Sequence, residues 1–308
     1  MTATKTESIS NDSKHSSLLP DVALLGVATF WGLNIPLMKI GLDEVNIYVF
    51  NAVRLTLSAL VLLAFAGFER KRNPNHRKMN VRWHAILLYG LLVGALYQVL
   101  FLLGISRTTS GNTALIIATV PMWTALLAKF FLGERLRIIS WLGLLVGVTG
   151  TVIVALQKDD ITADRIHLLG NVTVLAAAVV WSAGTVYSRP LLKQITPLQL
   201  ASASAVISIP IHILVAVWWG DVSHQSVPSW PIWLIILYSG SLSSGLSQPM
   251  WHYGVRHAGA SHASGVQNLI PLIAILAAWA IRGEAATPAQ LLGGALILGG
   301  LVTMRFGR

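Results

Sequence analysis

The sequence contains no cysteine and few charged residues, and each absence excludes a class of protein. Without cysteine there is no disulfide framework and no thiolate chemistry. Only 11% of the 308 residues are charged, whereas a soluble domain carries roughly a quarter. Hydrophobic residues make up 54% of the chain. This composition is typical of a membrane protein, so the formal net charge of +10 bears on membrane topology rather than on nucleic-acid binding.

Acidic residues are scarce, and all 12 of them fall in predicted tails, loops or span ends. A proton-coupled antiporter of cationic drugs needs a carboxylate deep in the membrane, so the sequence disfavours that class. A membrane hydrolase needs paired carboxylates or a metal ion. His252, His257 and His262 are spaced by five residues and straddle a loop, so helix geometry does not bring them together as ligands. We therefore predict no metal, no cofactor and no enzymatic activity, with a membrane-embedded enzyme as the alternative from another class.

Long apolar runs are abundant, and they predict an all-α membrane protein with ten transmembrane helices. A helix needs about 20 apolar residues to cross a bilayer. The predicted spans are 21–41, 46–68, 82–105, 109–132, 137–156, 168–189, 197–219, 230–254, 260–281 and 287–305. Residues 1–19 are polar, and we expect them to form a disordered cytoplasmic tail rather than a signal peptide.

The second half of the sequence repeats the first at a shift of 150 residues without a gap. The matching residues are mostly glycine, proline, tryptophan or polar: Trp31 with Trp181, Gly90 with Gly240, Gln98 with Gln248, Gly104 with Gly254, Pro121 with Pro271, and Gly150 with Gly300. We predict one five-helix repeat over 20–156, a linker loop over 157–166 and a second five-helix repeat over 167–308. Five crossings is an odd number, so the second repeat is inverted in the membrane. Two inverted halves with a site between them are typical of alternating-access transporters.

The basic residues predict the orientation of the chain. With both termini inside, the inner segments hold 15 of the 22 Lys and Arg residues and the outer segments hold 5. The remaining two, Arg54 and Lys129, lie within spans. Because Lys and Arg are concentrated in cytoplasmic loops, both termini are expected in the cytoplasm. Trp218, Trp219 and Trp230 flank the predicted outer loop 220–229, where amphipathic rings belong.

These features resemble the EamA-type branch of the drug/metabolite transporter superfamily over about 21–306. The residues that carry the resemblance are Trp31-Gly32-x-Asn34, Arg54, Pro121, and the Gly-Glu pairs 133–134 and 283–284. Within that branch the chain is most similar to bacterial amino-acid exporters, aromatic ones included. The resemblance implies an inner-membrane exporter of small metabolites, with amino acids as the expected substrate and a drug, nucleoside or sugar as the alternative.

Spans one and six are predicted to contribute substrate-binding residues at equivalent positions. Trp31 and Asn34 share one face of the first span, and Trp181 and Thr185 share the corresponding face of the sixth. A tryptophan away from the interface and a mid-membrane asparagine both need partners. They line a cavity with aromatic walls, or they pack helices together through interhelical hydrogen bonds.

Spans three and eight place a glutamine at the same position of each repeat. Gln98 and Gln248 imply a polar lumen or a structural hydrogen bond, because an unpaired amide in hydrocarbon costs several kcal/mol. Ser244, Trp251 and His252 lie on the same stripe of the eighth span as Gln248. We predict that this stripe contributes to the substrate site.

Spans four and nine add further candidates and two prolines. Asn112 and Trp123 share one face of the fourth span, and His262 is the equivalent of Asn112 in the ninth. His262 is a candidate proton-coupling site because imidazole changes charge near neutral pH, although a lone histidine is often structural. Pro121 and Pro271 are predicted hinges, since each removes an intrahelical hydrogen bond; a static bend is the alternative.

Two further features have structural interpretations at this stage. Arg54 could reach the outer surface or hold two helix ends together. We expect a structural role, because its repeat equivalent is Ser204 and the family resemblance implies a position off the main cavity. The glycine-rich fifth and tenth spans are expected to pack against each other or against a second subunit, which leaves a monomer or a homodimer.

Overall fold

The computed structural model describes residues 18–42, 44–72, 81–105, 107, 116–117, 119–134, 137–155, 165–221, 227–282 and 288–306. These residues form helices and no strand. The helices are α1 (Leu19–Leu42), α2 (Ile47–Arg72), α3 (Trp83–Tyr89), π1 (Gly90–Leu96), α4 (Tyr97–Ile105), α5 (Val120–Leu132), α6 (Ile138–Ala155), α7 (Arg165–Leu191), α8 (Pro197–Trp219), α9 (Trp230–Tyr238), π2 (Ser239–Leu246), α10 (Ser247–Ala258), α11 (Ala260–Val266), α12 (Leu269–Arg282) and α13 (Pro288–Phe306). The all-α prediction is confirmed.

Several of these helices can cross a bilayer. By length and composition, five described helices qualify: Leu19–Leu42, Ile47–Arg72, Trp83–Gly104, Leu168–Leu191 and Pro197–Trp219. Shorter apolar helices cover Val120–Leu132, Ile138–Gly150 and Leu291–Gly300. Large apolar side chains such as Phe65, Phe130 and Leu237 are exposed on the outside of the bundle, as expected where lipid replaces water. The exact number of ten crossings stays a prediction.

The two repeats pack against each other through contacts that recur at the 150-residue shift. The contacts of α1 with α10 and α12 have counterparts in the contacts of α7 with α4 and α5. Helix α2 packs on its own equivalent, α8. Two pairs of glycine contacts also recur at this shift. A Cβ added to Gly90 would collide with Ile207, and one added to the equivalent Gly240 would collide with Leu57, the equivalent of Ile207. In the same way, Gly104 lies against Val174 and Gly254 against Leu24. The internal repeat of the sequence is therefore a repeat of packing.

Helices α6 and α13 approach each other so closely that only glycine fits between them. A Cβ on Gly150 would lie 2.5 Å from the carbonyl oxygen of Gly293. In the equivalent contact, a Cβ on Gly300 would lie 2.5 Å from the carbonyl oxygen of Gly143. Small residues at this spacing allow backbones to touch in a membrane. Of the two expectations for these glycines, contact within the chain is the one observed.

Each repeat also contains a π-helical segment at the same place. The sequence analysis predicts plain helices over 82–105 and 230–254, whereas π1 and π2 widen the backbone in the middle of both. π-Helical turns are rare and are frequent at functional sites. Gln98 and Gln248 are the second residues of the α-helices that follow these segments, so both amides lie where the regular α-helix resumes.

The ninth predicted span is interrupted rather than continuous. Residues 267–268 form a turn between α11 and α12, and Pro271 lies in the first turn of α12. Its equivalent, Pro121, is the second residue of α5, whose N-cap is Thr119. A proline at this position has no intrahelical hydrogen bond to remove. A break before each proline thus replaces the expected kink inside a continuous helix.

Candidate functional site

Three tryptophans and one tyrosine form an aromatic cluster between the two repeats. The ring centroids of Trp31 and Trp181 lie 5.6 Å apart, and both rings contact Trp251 at 5.6 and 5.8 Å. Tyr97 lies 4.8 Å from Trp181. The rings come from α1, α7, α10 and α4, so helices of both repeats meet here. Edge-to-face and tilted arrangements of this kind add to the free energy gained by burial.

Trp31 is fixed in the aromatic cluster by hydrogen bonds to the opposite repeat. Its indole Nε1 donates to the carbonyl oxygen of Ser243 and to Ser247 Oγ, both at 2.9 Å. Both acceptors lie at the junction of π2 and α10. A donor shared between two acceptors holds the ring orientation and links the first helix to the eighth predicted span.

Beside the aromatic cluster lies a polar group centred on Arg54. Its Nε donates to Asn51 Oδ1 at 2.8 Å, its Nη1 donates to Ser244 Oγ at 2.8 Å, and its Nη2 donates to Gln98 Oε1 at 3.5 Å. Two of these partners, Ser244 and Gln98, are predicted substrate-binding residues. Arg54 therefore joins α2 to π2 and to α4, as a structural role requires, and it does so through two residues that the sequence assigns to the substrate site.

Two buried histidines extend this polar region. His212 Nε2 lies 2.7 Å from the carbonyl oxygen of Gly94, and its Nδ1 lies 3.5 Å from Asn51 Nδ2. A tautomer with hydrogen on Nε2 satisfies both contacts. His252 Nε2 lies 2.8 Å from the hydroxyl of Tyr89, and its Nδ1 lies 3.3 Å from the carbonyl oxygen of Pro197. With both ring nitrogens engaged, His252 joins three helices.

Some of the remaining predicted site residues form hydrogen bonds only with residues near them in sequence, and others have no assigned hydrogen bond among the described residues. Trp123 donates to Thr119 one turn earlier in the chain, and Thr185 bonds the carbonyl oxygen of Trp181. Asn34 is buried, and its Oδ1 has no hydrogen-bond partner. Gln248 is half-buried. Asn112 lies outside the described residues.

Ion pairs close the end of the bundle that the Lys/Arg asymmetry predicts to be cytoplasmic. Glu134 pairs with Arg189 and accepts from Ser261 Oγ at 2.7 Å and from the backbone nitrogen of Ala260 at 3.2 Å. This carboxylate therefore caps the N-terminus of α11 and joins it to α5 and α7. Gly259 precedes α11 with a φ of 96°, a backbone conformation that favours glycine.

His262 lies at the same end and has an acidic partner. Its Nε2 lies 2.8 Å from Asp21 Oδ1 at the start of α1. In the sequence, Asp21 belongs to the end of the first predicted span and is far from His262. Because 241 residues separate the two side chains, only the folded structure shows the contact.

An apolar groove elsewhere on the molecule does not fit a polar solute. It has a volume of about 620 Å³ and lies between α2, α8 and α9, with Val53, Leu60 and Trp233 among its lining residues. These three side chains are exposed on the outside of the bundle, where lipid tails would cover them. The polar and aromatic groups described above lie elsewhere.

Comparison with known proteins gives the chain its family. The model of the EamA-like transporter family matches residues 18–156 and again residues 168–306. The chain belongs to the EamA-like transporter family. The EamA unit thus occurs twice in the chain. The chain is a membrane transporter rather than an enzyme.

Individual relatives are distant but extend over nearly the whole chain. The uncharacterized transporter YoaV of Bacillus subtilis is 25% identical over 92% of this chain and 96% of its own length. A probable terminal-alkyne amino-acid exporter of Streptantibioticus cattleyicolor is 28% identical over 91% of both chains. The uncharacterized inner membrane transporter YedA of Escherichia coli is 21% identical over 93% of this chain and 90% of its own.

A solved crystal structure shares the fold. It superposes with a TM-score of 0.77 over 93% of this chain and 96% of that one, at 20% sequence identity. At this identity the likeness concerns the arrangement of the helices and not the solute.

Proposed function

We propose that this EamA-family transporter exports small metabolites, and amino acids in particular, by alternating access. The observation that carries the proposal is the meeting of aromatic rings with polar side chains between the two repeats. Trp31, Trp181 and Trp251 offer faces for an apolar or aromatic side chain, and an amino group can bind them by cation–π contact. Gln98, Ser244 and Gln248 offer hydrogen bonds beside these faces.

The relative from Streptantibioticus cattleyicolor supports this choice of solute. It is described as a probable exporter of a terminal-alkyne amino acid and aligns over nine-tenths of the chain. An aromatic or other neutral amino acid fits the same combination of apolar surface and hydrogen-bonding groups.

The interrupted helices support alternating access between the repeats. The breaks before Pro121 and Pro271 lie at equivalent positions, so each half has a point at which a helix end can move. Carbonyl and amide groups near such breaks can also bind a solute. The Glu134 ion pair holds one end of the bundle together in this conformation, and its release would open that end.

The proposed location is the inner membrane, with both termini in the cytoplasm. The excess of Lys and Arg in the inner segments supports this orientation. Export then means uptake of the solute from the end that Glu134 closes and release at the other.

The direct test is flux of labelled solutes through purified protein in vesicles. The panel would contain aromatic, aliphatic and charged amino acids together with a nucleoside, a sugar and a cationic drug. We expect flux of at least one neutral amino acid, reduced or redirected in Gln98→Leu and Gln248→Leu, with Lys193→Ala as a control at an exposed loop residue. Flux of only the nucleoside, sugar or drug would contradict the amino-acid proposal.

A further inference from the structure

Arg54 is a buried cation whose described partners are all neutral. Its residue is 8% exposed, and its three hydrogen bonds go to an asparagine, a serine and a glutamine. No carboxylate contacts it among the residues that the structure describes. Burying a charge without a counter-ion costs several kcal/mol, and hydrogen bonds to neutral groups offset only part of that cost.

The repeat shows that the fold itself does not need a charge here. Ser204 is the equivalent of Arg54 and lies on α8. It packs directly on π1, where a Cβ added to Gly94 would lie 2.9 Å from the carbonyl oxygen of Ser204. The contact of α8 with π1 is the repeat equivalent of the contact of α2 with π2, and at this position it is made by small neutral residues alone. The guanidinium therefore requires a reason beyond joining α2 to π2.

The three hydrogen bonds do not use all the N–H donors of the Arg54 guanidinium. The three bonds use one of its five N–H groups each, which leaves one N–H on Nη1 and one on Nη2. Those two nitrogens are the ones that bind a carboxylate through two parallel hydrogen bonds.

The aromatic cluster lies next to this cation along two stretches of chain. Gln98, which accepts from Arg54, follows Tyr97 of the aromatic cluster. Ser244, the other helix-to-helix partner, follows Ser243, whose carbonyl oxygen accepts from Trp31. A carboxylate held by Arg54 would thus lie close to chain segments that also carry the aromatic cluster.

We propose that Arg54 binds the carboxylate of the transported solute, so that a free carboxylate is required for recognition. This inference rests on the proposed amino-acid transport and deepens it. The solute supplies the negative charge that the described residues do not place beside Arg54. An amino acid whose carboxylate is converted to an amide keeps its side chain and amino group but loses the charge that Arg54 pairs with.

The test compares competition by an amino acid and by its amide. In vesicles holding the wild-type protein, the amide should inhibit uptake of the labelled amino acid about 10- to 100-fold more weakly than the unlabelled acid does. That range corresponds to the loss of one charge-assisted hydrogen-bonded contact. Arg54→Gln should reduce this preference for the acid, and Arg54→Lys should keep part of it. Arg107→Gln removes the same charge at an exposed residue and should leave the preference unchanged.

The outcomes separate the two proposals. Equal inhibition by acid and amide in the wild type overturns the role of Arg54 and leaves amino-acid transport standing, and this comparison does not depend on whether any variant folds. Full retention of the preference in Arg54→Gln overturns it as well. Absence of all amino-acid flux in the wild type overturns the proposed function, and the role of Arg54 with it.

Discussion

Trp31 shows how one side chain can join the two repeats through both ring contacts and hydrogen bonds. Its ring contacts two other tryptophans, and its single N–H binds two acceptors on a helix of the opposite repeat. The ring therefore cannot rotate without releasing a contact between the two halves. A solute that displaces this ring would alter the same contact, which couples occupancy of the site to the position of α1.

This role can be tested by removing the N–H and controlling for the loss of ring size that goes with it. Trp31→Phe should lower the free energy of unfolding by about 1 kcal/mol more than Trp123→Phe, because one net hydrogen bond is worth about that much. Trp123 donates only within its own helix, so its variant controls for the change in ring size. Thermal unfolding of both proteins in detergent provides the comparison, and equal losses would contradict an interhelical role for Trp31.

His262 raises the question of proton coupling at the same scale. We expect facilitated flux that an imposed pH gradient does not drive uphill, because the contact with Asp21 links two helices at one end of the bundle. A positive charge on the imidazole would strengthen that contact, because it would lie beside the carboxylate of Asp21. His262→Gln and Asp21→Asn should therefore retain exchange.

The measurement is flux in vesicles with and without a pH gradient, at zero membrane potential. Uphill flux in the wild type that His262→Gln abolishes would show that this histidine couples protons to transport. Uphill flux that persists in His262→Gln would require a proton site elsewhere.

At the scale of elements, the contact of α6 with α13 depends on the absence of side chains. A Cβ on Gly300 would meet backbone atoms of Gly143 and Gly147 at 2.5 Å, and backbone cannot move aside as a side chain can. Gly299 is its neighbour in sequence, and a Cβ there would meet nothing within 4 Å. Gly299 therefore provides a control for a substitution at Gly300.

We expect Gly300→Ala to destabilise the protein by about 1 to 3 kcal/mol, the range for overpacking a well-packed contact. Gly299→Ala should be neutral or slightly stabilising, since alanine favours helix. The unfolding temperatures of Gly300→Ala and Gly299→Ala in the same detergent provide the comparison. A similar effect of both substitutions would mean that helix propensity, rather than close approach, governs these positions.

The N-terminus of α11 depends on a carboxylate from another helix. Glu134→Ala would leave the first N–H groups of α11 and the guanidinium of Arg189 without their partner. The expected cost is about 1 to 3 kcal/mol in unfolding, and less for Glu134→Gln, which keeps the acceptor oxygen. Thermal unfolding measures both, with Lys193→Ala as the exposed control. An unchanged unfolding temperature in Glu134→Ala would show that the ion pair adds nothing.

The elements also show what a sequence can and cannot predict. The bounds of α8 agree with the predicted span at both ends, because Pro197 opens the helix and the Trp218–Trp219 pair closes it. The π-helical segments were missed, since hydrophobic periodicity does not distinguish them from α-helix over so few residues. The contacts of Arg54 and Asp21 were missed because they join residues 190 and 241 positions apart.

At the scale of the whole molecule, orientation in the membrane is the prediction with the simplest test. The native chain has no cysteine, so single cysteines report on one position each. Val227 is 87% exposed and lies in the predicted outer loop, and Lys193 is exposed in the predicted inner turn between α7 and α8. In intact cells, Val227→Cys should react with a membrane-impermeant thiol reagent and Lys193→Cys should react only after permeabilisation. The reverse pattern would invert the topology.

The pairing of α6 with α13 has a consequence for how the protein is made. Gly150 and Gly300 are separated by 150 residues, and ribosomes add about 5 to 20 residues each second. The glycine face of α6 is thus in the membrane for roughly 8 to 30 s before the glycine face of α13 is synthesised. During biosynthesis the first repeat therefore lacks the contact that α13 later makes with α6. Two halves translated from separate messages would form this contact only after both had been inserted into the same membrane.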